Sequence, residues 1–121
     1  MARVIHFEIP TKEPEKAKQF FQKVFGWEIE RWGEIPYWLI TTGKQQEPGI
    51  NGALMLSKKD HSGIINTISV VDIDETTKAI RTAGGEVLQE KMAVPGIGWH
   101  IYFRDLDGNI LGAKQEDPEV K

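Results

Sequence analysis

The chain repeats its own pattern of segments at an interval of 59 residues, and this repeat constrains the fold more than any other feature of the sequence. In the first copy, an alternating segment at residues 6–9 precedes an apolar helical segment that ends at residues 25–27. In the second copy, the segment at residues 65–68 precedes a helical segment that ends at residues 84–86. A duplicated α/β unit predicts two similar halves that face one another, with a ligand site along the line where they meet.

Length and composition favour one compact domain spanning residues 1–121. An apolar content of 40% is enough for a buried core, whereas halves of about 60 residues would each be marginal alone. The net charge is −3 without clustered lysine or arginine, so nucleic acid is not an expected partner. The absence of cysteine excludes disulfides, thiolate zinc sites and cysteine nucleophiles. Without a signal-peptide pattern or a membrane-length apolar run, we expect a cytoplasmic protein with no membrane partner.

Each half contains the same order of predicted elements: a strand, a helix and three further strands, which is an α+β arrangement of two βαβββ modules. The first module covers about residues 3–57 and the second about residues 64–115. A charged tail at residues 116–121 follows, and we expect it to fray. The predicted strands lie at about residues 3–9, 27–32, 36–42, 52–56, 64–71, 86–90, 99–104 and 110–114.

Both predicted helices carry start and stop signals. Pro14 suits the first turn of the first helix, and Gly26 ends that helix. Asp72 is the expected cap of the second helix, which is predicted to end at residues 84–85. Five apolar residues of the first helix recur at the spacing of one stripe. They are predicted to be buried together: Ala17, Phe20, Phe21, Val24 and Phe25.

Six short stretches of the chain, taken in order, form a recognisable set. They are His6-Phe7-Glu8-Ile9-Pro10, Phe20-Phe21 through Phe25-Gly26-Trp27, Asn51-Gly52-Ala53-Leu54-Met55, Val71-Asp72-Ile73-Asp74, Ala83-Gly84-Gly85 and Asp105-Leu106-Asp107-Gly108-Asn109. With them the sequence resembles the vicinal oxygen chelate superfamily, which includes glyoxalase I, bleomycin-resistance proteins, fosfomycin-resistance enzymes and extradiol dioxygenases. The resemblance covers about residues 4–115 and is greatest to the glyoxalase-like branch related to lactoylglutathione lyase. It implies two tandem βαβββ modules that form a U-shaped mixed sheet with the helices outside.

Metal-dependent members of that superfamily place one ligand on the first and one on the last strand of each module. Carried onto this chain, the resemblance implies His6 and Ala53, or Gly52 if the register differs by one, in the first module. In the second module it implies Ile65 and Gly112. A divalent cation needs several donors, and of these side chains only the imidazole supplies one. We therefore assign no cofactor to the protein, and a divalent metal bound at His6 is the alternative.

The first strand carries the two residues that we predict to be catalytic, His6 and Glu8. Strand alternation places both on the face opposite Phe7 and Ile9, so they should line the cleft. His6 is interpreted as a general base, a ligand anchor or a metal ligand, with a simple hydrogen-bonded polar residue as the alternative. Glu8 either completes an acid–base pair or forms an ion pair with Arg104 or a lysine.

Five further residues are predicted ligand contacts: Trp38, Met55, Trp99, His100 and Tyr102. For the tryptophans and the methionine, a core or dimer contact is the alternative. A metal site formed by His6, Glu8 and His100 is a further hypothesis. His61 lies in the polar connector and is expected to be exposed. The acidic segment at residues 105–109 is better explained by a tight turn, with Gly108 or Asn109 at positive φ, than by chelation.

Two function classes remain open on the sequence alone. One is an enzyme, a lyase, isomerase or dioxygenase in which His6 with Glu8 or His100 moves protons or holds an atypical metal. The other is a non-catalytic protein that binds a small aromatic or amphipathic molecule in a metal-free cleft. A homodimer is expected in either case, and the sequence leaves open whether one chain or two form the cleft.

Overall fold

A computed structural model describes residues 2–57 and 63–121 and confirms the α+β class and the order βαβββ twice. Within those residues neither helix has the length and apolar character needed to cross a membrane. The elements are β1 (Arg3–Thr11), α1 (Pro14–Phe25), β2 (Glu28–Arg31), β3 (Tyr37–Thr41), β4 (Asn51–Leu56), β5 (Ile65–Val70), α2 (Ile73–Thr82), β6 (Glu86–Val94), β7 (Gly98–Arg104) and β8 (Ile110–Glu116).

The first compact unit, His6–Ile64, contains four strands in the spatial order β2-β3-β4-β1. The pair β1 and β4 is parallel, whereas β3 is antiparallel to both β4 and β2. Helix α1 covers one face of this sheet, where Ala17 and Phe21 pack against a buried cluster from β2, β3 and β4. The buried members of that cluster are Ile29, Trp38, Ile40 and Leu54.

Helix α1 begins and ends where the sequence predicts, but the prediction of one buried apolar stripe is wrong. Pro14 occupies the first turn, and Gly26 closes the helix at φ 70° with its N–H donated to the Gln22 carbonyl. Phe20 and Phe25 are 57% and 60% exposed. The sheet packs against Ala17 and Phe21, so burial does not extend across the full width of the stripe, whose outermost members Phe20 and Phe25 lie about 140° apart around the helix. Val24 is exposed as well.

The second compact unit comprises Ile65–Lys121 together with the residues that precede His6. Its spatial order is β5-β8-β7-β6, with β5 and β8 parallel and the other pairs antiparallel. Asp72 caps α2 as predicted, since its carboxylate accepts the backbone N–H groups of Asp74 and Glu75. Helix α2 covers a core whose buried members are Ile73, Ile101 and Ala113.

The C-terminal tail is docked, which corrects the prediction that it frays. Val120 is 8% exposed, and its carbonyl accepts the N–H of Gly96 at 2.7 Å. The N–H of Asp117 donates to the carbonyl of Ile97 at 2.9 Å. The tail therefore satisfies backbone groups of the turn between β6 and β7 and buries one apolar side chain, although its composition is mostly charged.

Candidate functional site

The face of the first unit opposite α1 carries a chain of three polar side chains. His6 Nε2 lies 2.8 Å from Tyr37 Oη, and the Tyr37 hydroxyl donates to Glu8 Oε2 at 2.6 Å. The rings of His6 and Tyr37 are nearly parallel, with centroids 6.4 Å apart. Glu8 is only 4% exposed, so its carboxyl group is held away from water by its neighbours. We call these three residues the His6–Tyr37–Glu8 chain.

The Tyr37 hydroxyl links the His6 ring to a buried carboxyl group. It donates to Glu8 Oε2, and its oxygen lies within hydrogen-bond distance of His6 Nε2. An imidazole can donate or accept a hydrogen bond and can take up a proton. The arrangement can therefore bind a polar group of a ligand or move a proton.

Strand register explains how Tyr37 reaches β1 from β3. Strand β4 lies between them, with Ala53 opposite both Glu8 on β1 and Leu39 on β3. Tyr37 stands opposite Met55, so its hydroxyl crosses β4 to meet Glu8. Ala53 is completely buried and presents only a methyl group beside that path. A small residue at this position thus gives the tyrosine room to reach the carboxyl group.

The remaining predicted ligand contacts of the first unit lie on opposite faces. Met55 shares the face of Tyr37 and is half-buried. Trp38, one position after Tyr37, points toward α1 and belongs to the buried core, with the Arg31 guanidinium 5.1 Å from its ring. Trp38 therefore lies in the core, which was the alternative to its predicted ligand contact. Trp32, half-buried, lies 6.0 Å from the Tyr37 ring and brings an aromatic group to the site instead.

The predicted ligand contacts of the second unit lie on two opposite faces of β7. Trp99 packs against the core under α2, with the Lys91 ammonium 4.7 Å from its ring. His100 and Tyr102 occupy the other face, and their rings meet edge to face at a centroid distance of 4.5 Å. The turn before Trp99 is tied to the C-terminal tail rather than open, as described above. His100 and Tyr102 therefore remain on the polar face, whereas Trp99 lies in the core position that we gave as its alternative.

Gly112 lies on the same polar face, where neighbouring side chains leave little room above it. Thr67 stands opposite it on β5, and Tyr102 stands opposite it on β7. A Cβ atom at Gly112 would lie 3.0 Å from both His100 Nε2 and Thr67 Oγ1. Thr67 is 1% exposed, and within the described part of the chain its hydroxyl finds no hydrogen-bond partner. A buried hydroxyl of this kind usually satisfies a bound water or ligand.

The family's four-ligand metal site does not fit the residues present. Ala53 pairs with Glu8 as Gly112 pairs with Thr67, so these two residues hold equivalent positions in the two units. The side chains of Ala53, Ile65 and Gly112 carry no donor atom, so His6 supplies the one donor among the four positions. Across residues 2–57 and 63–121, no three side chains of His, Cys, Asp or Glu are grouped as a metal site requires.

The acidic segment before β8 is a turn, as its sequence suggests. Asp105 Oδ1 accepts the backbone N–H groups of Asp107 and Asn109, while the Asn109 side chain donates to Oδ2. The Asn109 side-chain hydrogen bond is the main cause that lowers the pKa of Asp105. Gly108 takes the positive φ, at 86°. Arg104, a suggested partner of Glu8, contacts Glu86 at 3.2 Å, and His61 lies outside the described residues.

Each of the two units has the order βαβββ and carries polar side chains on the sheet face away from its helix. This arrangement defines the class of the protein. The chain belongs to the glyoxalase/bleomycin resistance protein/dioxygenase superfamily, whose family model matches residues 3–112. A search of curated proteins finds no significant match.

Solved structures with a similar fold come from several bacteria. Methylmalonyl-CoA epimerase from Mycobacterium tuberculosis is 16% identical, with a TM-score of 0.67 over 95% of this chain and 88% of that one. A superfamily member from Vibrio splendidus 12B01 is 18% identical, with a TM-score of 0.68 over 96% of this chain and 100% of that one. The Mn(II)-bound glyoxalase from Novosphingobium aromaticivorans is 19% identical, with a TM-score of 0.66 over 99% of this chain and 41% of that one. At these identities the likeness is one of fold.

Sequence reasoning missed two residues of these polar faces, Tyr37 and Thr67. Thr67 stood on the predicted strand face opposite the helix, and only its burial and its position beside Gly112 distinguish it from other strand threonines. Tyr37 is adjacent to the residue that was chosen, Trp38. The signal that could have found it is the alternation within the strand at residues 36–42, because Trp38 and Ile40 form its apolar face and Tyr37 lies on the other.

Proposed function

We propose that this protein binds a small molecule on the sheet face of the first unit that carries His6, Tyr37 and Glu8, without the family's four-ligand metal. The observation that supports this most directly is the His6–Tyr37–Glu8 chain, which orients a histidine on a face that α1 leaves uncovered. A fixed polar group beside apolar and aromatic side chains is the usual composition of a small-molecule site. In this proposal the histidine sets the orientation of the ligand.

The surroundings of the chain favour a ligand with an apolar or aromatic part. Leu39 is 40% exposed on the same strand face as Tyr37, and Met55 stands opposite Tyr37 in the register. Trp32 adds an aromatic surface within 6.0 Å of the Tyr37 ring. A polar group on the ligand would meet the His6 ring, while its apolar part would contact Leu39, Met55 and Trp32.

Ligand binding is tested by tryptophan fluorescence and thermal unfolding against a panel of small aromatic and amphipathic molecules. We expect at least one ligand to bind, and Tyr37→Phe to weaken it about tenfold because His6 loses the oxygen that orients its ring. Thr77→Val is the matched control, since it removes a hydroxyl that donates to the Ile73 carbonyl within α2. The proposal is contradicted if no compound of the panel changes the fluorescence or the melting temperature, or if Thr77→Val weakens ligand binding as much as Tyr37→Phe does.

The metal-free character is tested separately by metal analysis of the purified protein. We expect no stoichiometric zinc, nickel, manganese or iron, and no rise in melting temperature when these ions are added, because three of the four expected positions lack a donor. His6→Ala serves as the comparison. Stoichiometric metal in the native protein that disappears in His6→Ala would instead establish a metal-dependent lyase, isomerase or dioxygenase with an atypical site around His6.

A second candidate function is proton transfer by the same chain, an epimerase-like or isomerase-like activity. It is favoured by the buried carboxyl of Glu8 behind Tyr37, which would stabilise the imidazolium formed when the His6 ring removes a proton from carbon. Methylmalonyl-CoA epimerases are among the proteins of similar fold. Exchange of the α-hydrogen of acyl thioesters in D2O tests it, with Tyr37→Phe and Glu8→Gln expected to slow the exchange. Exchange at the uncatalysed rate excludes this candidate for those substrates.

A further inference from the structure

The turn between β2 and β3 has an aromatic residue of the proposed ligand site at each end. Trp32 precedes the turn and Tyr37 follows it, and the Trp32 N–H donates to the Tyr37 carbonyl at 2.8 Å. The residues between them, 33–36, are all exposed, so the tip of the turn is not anchored by a buried side chain. Its conformation therefore depends mainly on hydrogen bonds. We call residues 32–37 the β2–β3 turn.

Arg31 supplies two of these hydrogen bonds from its side chain. Its Nε donates to the Ile35 carbonyl at 3.1 Å, and its Nη2 donates to the Glu34 carbonyl at 2.9 Å. The N–H of Tyr37 donates to the same Ile35 carbonyl at 2.7 Å. The donors of a guanidinium group have a fixed planar geometry, so Arg31 holds the carbonyl group to which the backbone of Tyr37 is also bonded.

The Arg31 side chain lies on the sheet face opposite the proposed ligand site. Arg31 pairs with Trp38 in the register of β2 and β3, and its guanidinium carbon lies 5.1 Å from the ring centroid of Trp38, a member of the buried core. The contacts of Tyr37 with His6 and Glu8 are on the other face. A ligand on that face would not touch the guanidinium, so any effect of Arg31 on binding passes through the β2–β3 turn.

We infer that Arg31 is a positioning residue, which fixes the β2–β3 turn and thereby holds the rings of Trp32 and Tyr37 in place before a ligand binds. The centroids of these two rings lie 6.0 Å apart. Side chains that are already ordered reduce the entropic cost of binding. The inference rests on the proposed small-molecule site of the first unit, and it assigns part of the affinity of that site to a residue on the opposite face.

Two substitutions separate the hydrogen bonds of Arg31 from the rest of its side chain. Arg31→Met keeps an unbranched apolar stem beside Trp38 and removes the donors, while Arg31→Lys keeps the charge and loses the planar pair of donors. We expect both variants to exchange the amide hydrogens of Trp32 and Tyr37 about tenfold faster, because the hydrogen bonds that hold the turn are lost. Hydrogen exchange followed by NMR measures this. The amide of Leu54, in the buried core, should be unchanged.

The consequence for the proposed site is measured at its rings and with indole, an aromatic probe that has one N–H donor. The ring resonances of His6 and Tyr37 should shift in both Arg31 variants, and NMR titration should show about fivefold weaker binding of indole. Arg104→Met is the matched control, since the Arg104 guanidinium pairs with Glu86 within the second unit. It should leave the ring resonances, the exchange rates and the affinity unchanged.

The inference is overturned if Arg31→Met leaves the ring resonances of His6 and Tyr37 unshifted, or if it binds indole as tightly as the unmodified protein. In either case Arg31 would only stabilise the turn. It is also overturned if Arg31→Lys behaves like the unmodified protein, because the charge beside Trp38 would then be sufficient. If the rings shift but the unmodified protein does not bind indole, the positioning role is supported and the proposed small-molecule function loses support. Circular dichroism and thermal unfolding establish that each variant is folded.

Discussion

The Tyr37 hydroxyl makes two hydrogen bonds, and both partners come from β1. It therefore holds the His6 ring and occupies an oxygen of the buried Glu8 at the same time. Phenylalanine at this position would keep the ring and remove both contacts. For that reason we regard Tyr37 as the residue on which the proposed binding of the first unit depends most.

A second single residue, Asp105, makes the stability of the fold depend on pH in a direction that can be predicted. Hydrogen bonds, above all from the Asn109 side chain, lower the pKa of its folded-state carboxyl from the ordinary value of 3.8. The charged form therefore stabilises the fold above pH 3.8, and this contribution is lost as pH falls through the lowered folded-state pKa. We expect Asp105→Asn to be less stable than the unmodified protein at pH 7, with a difference that shrinks in acid.

Urea unfolding of the two proteins between pH 7 and pH 2.5 measures that difference. Asp107→Asn is the matched control, because its side chain is in the same turn and the Asp105 hydrogen bonds involve only its backbone N–H. If the difference in free energy of unfolding between Asp105→Asn and the unmodified protein grew in acid, it would contradict the lowered pKa of Asp105.

Among the elements, the strands show what a sequence can and cannot provide. The alternation of β1 correctly placed His6 and Glu8 on the face opposite α1, because a strand's period needs only its own residues. Their contact with Tyr37 depends on the register of β1 and β3 against β4, and nothing in those short segments fixes it. Choosing Trp38 instead of Tyr37 put the prediction on the wrong face by one position.

The helices and the tail show the same difference between local signals and long-range packing. Caps and stops are local, and Pro14, Gly26 and Asp72 were assigned correctly for that reason. Whether an apolar side chain is covered depends on what packs against it, so the exposure of Phe20 was missed. The docking of Val120 was missed for the same reason, since a charged segment gave no sign of its backbone partners.

The docked tail predicts how the turn between β6 and β7 is protected. Val120→Asp places a charge in a buried position and should release the tail, after which the Gly96 amide should exchange its hydrogen at least about tenfold faster. Hydrogen exchange followed by NMR measures this. The amides of β4 report on global stability, and Glu119→Gln, an exposed change beside Val120, is the control. Unchanged protection of Gly96 in Val120→Asp would contradict the contact.

On the scale of the whole molecule, the two units place different side chains at equivalent positions. The 59-residue repeat relates Glu8 to Thr67 and Ala53 to Gly112, and both pairs occupy the same places in their parallel ladders. The antiparallel ladders in turn relate Tyr37 to His100. The repeat therefore identifies equivalent positions in the two units, whereas the chemistry of each face follows from individual substitutions. The single domain over residues 1–121 stays a prediction.

The expected homodimer is likewise tested on the whole molecule. Light scattering coupled to size exclusion should give a mass of about twice the 13.7 kDa of the chain. This expectation follows from the family resemblance, and the exposed Phe20, Val24 and Phe25 of α1 are consistent with association. A constant mass of one chain across a hundredfold range of protein concentration would show that the protein is monomeric.

The pairing of a very small residue with a ring from the neighbouring strand has an evolutionary consequence. Tyr37 passes beside Ala53, and His100 lies over Gly112, so in each unit an aromatic side chain uses the volume that a ligating residue would need. Gly112→Glu alone would collide with His100 and Thr67, and a large acid at Ala53 would displace Tyr37. A four-ligand metal centre would therefore require coordinated changes on adjacent strands of this chain, rather than one substitution at a time.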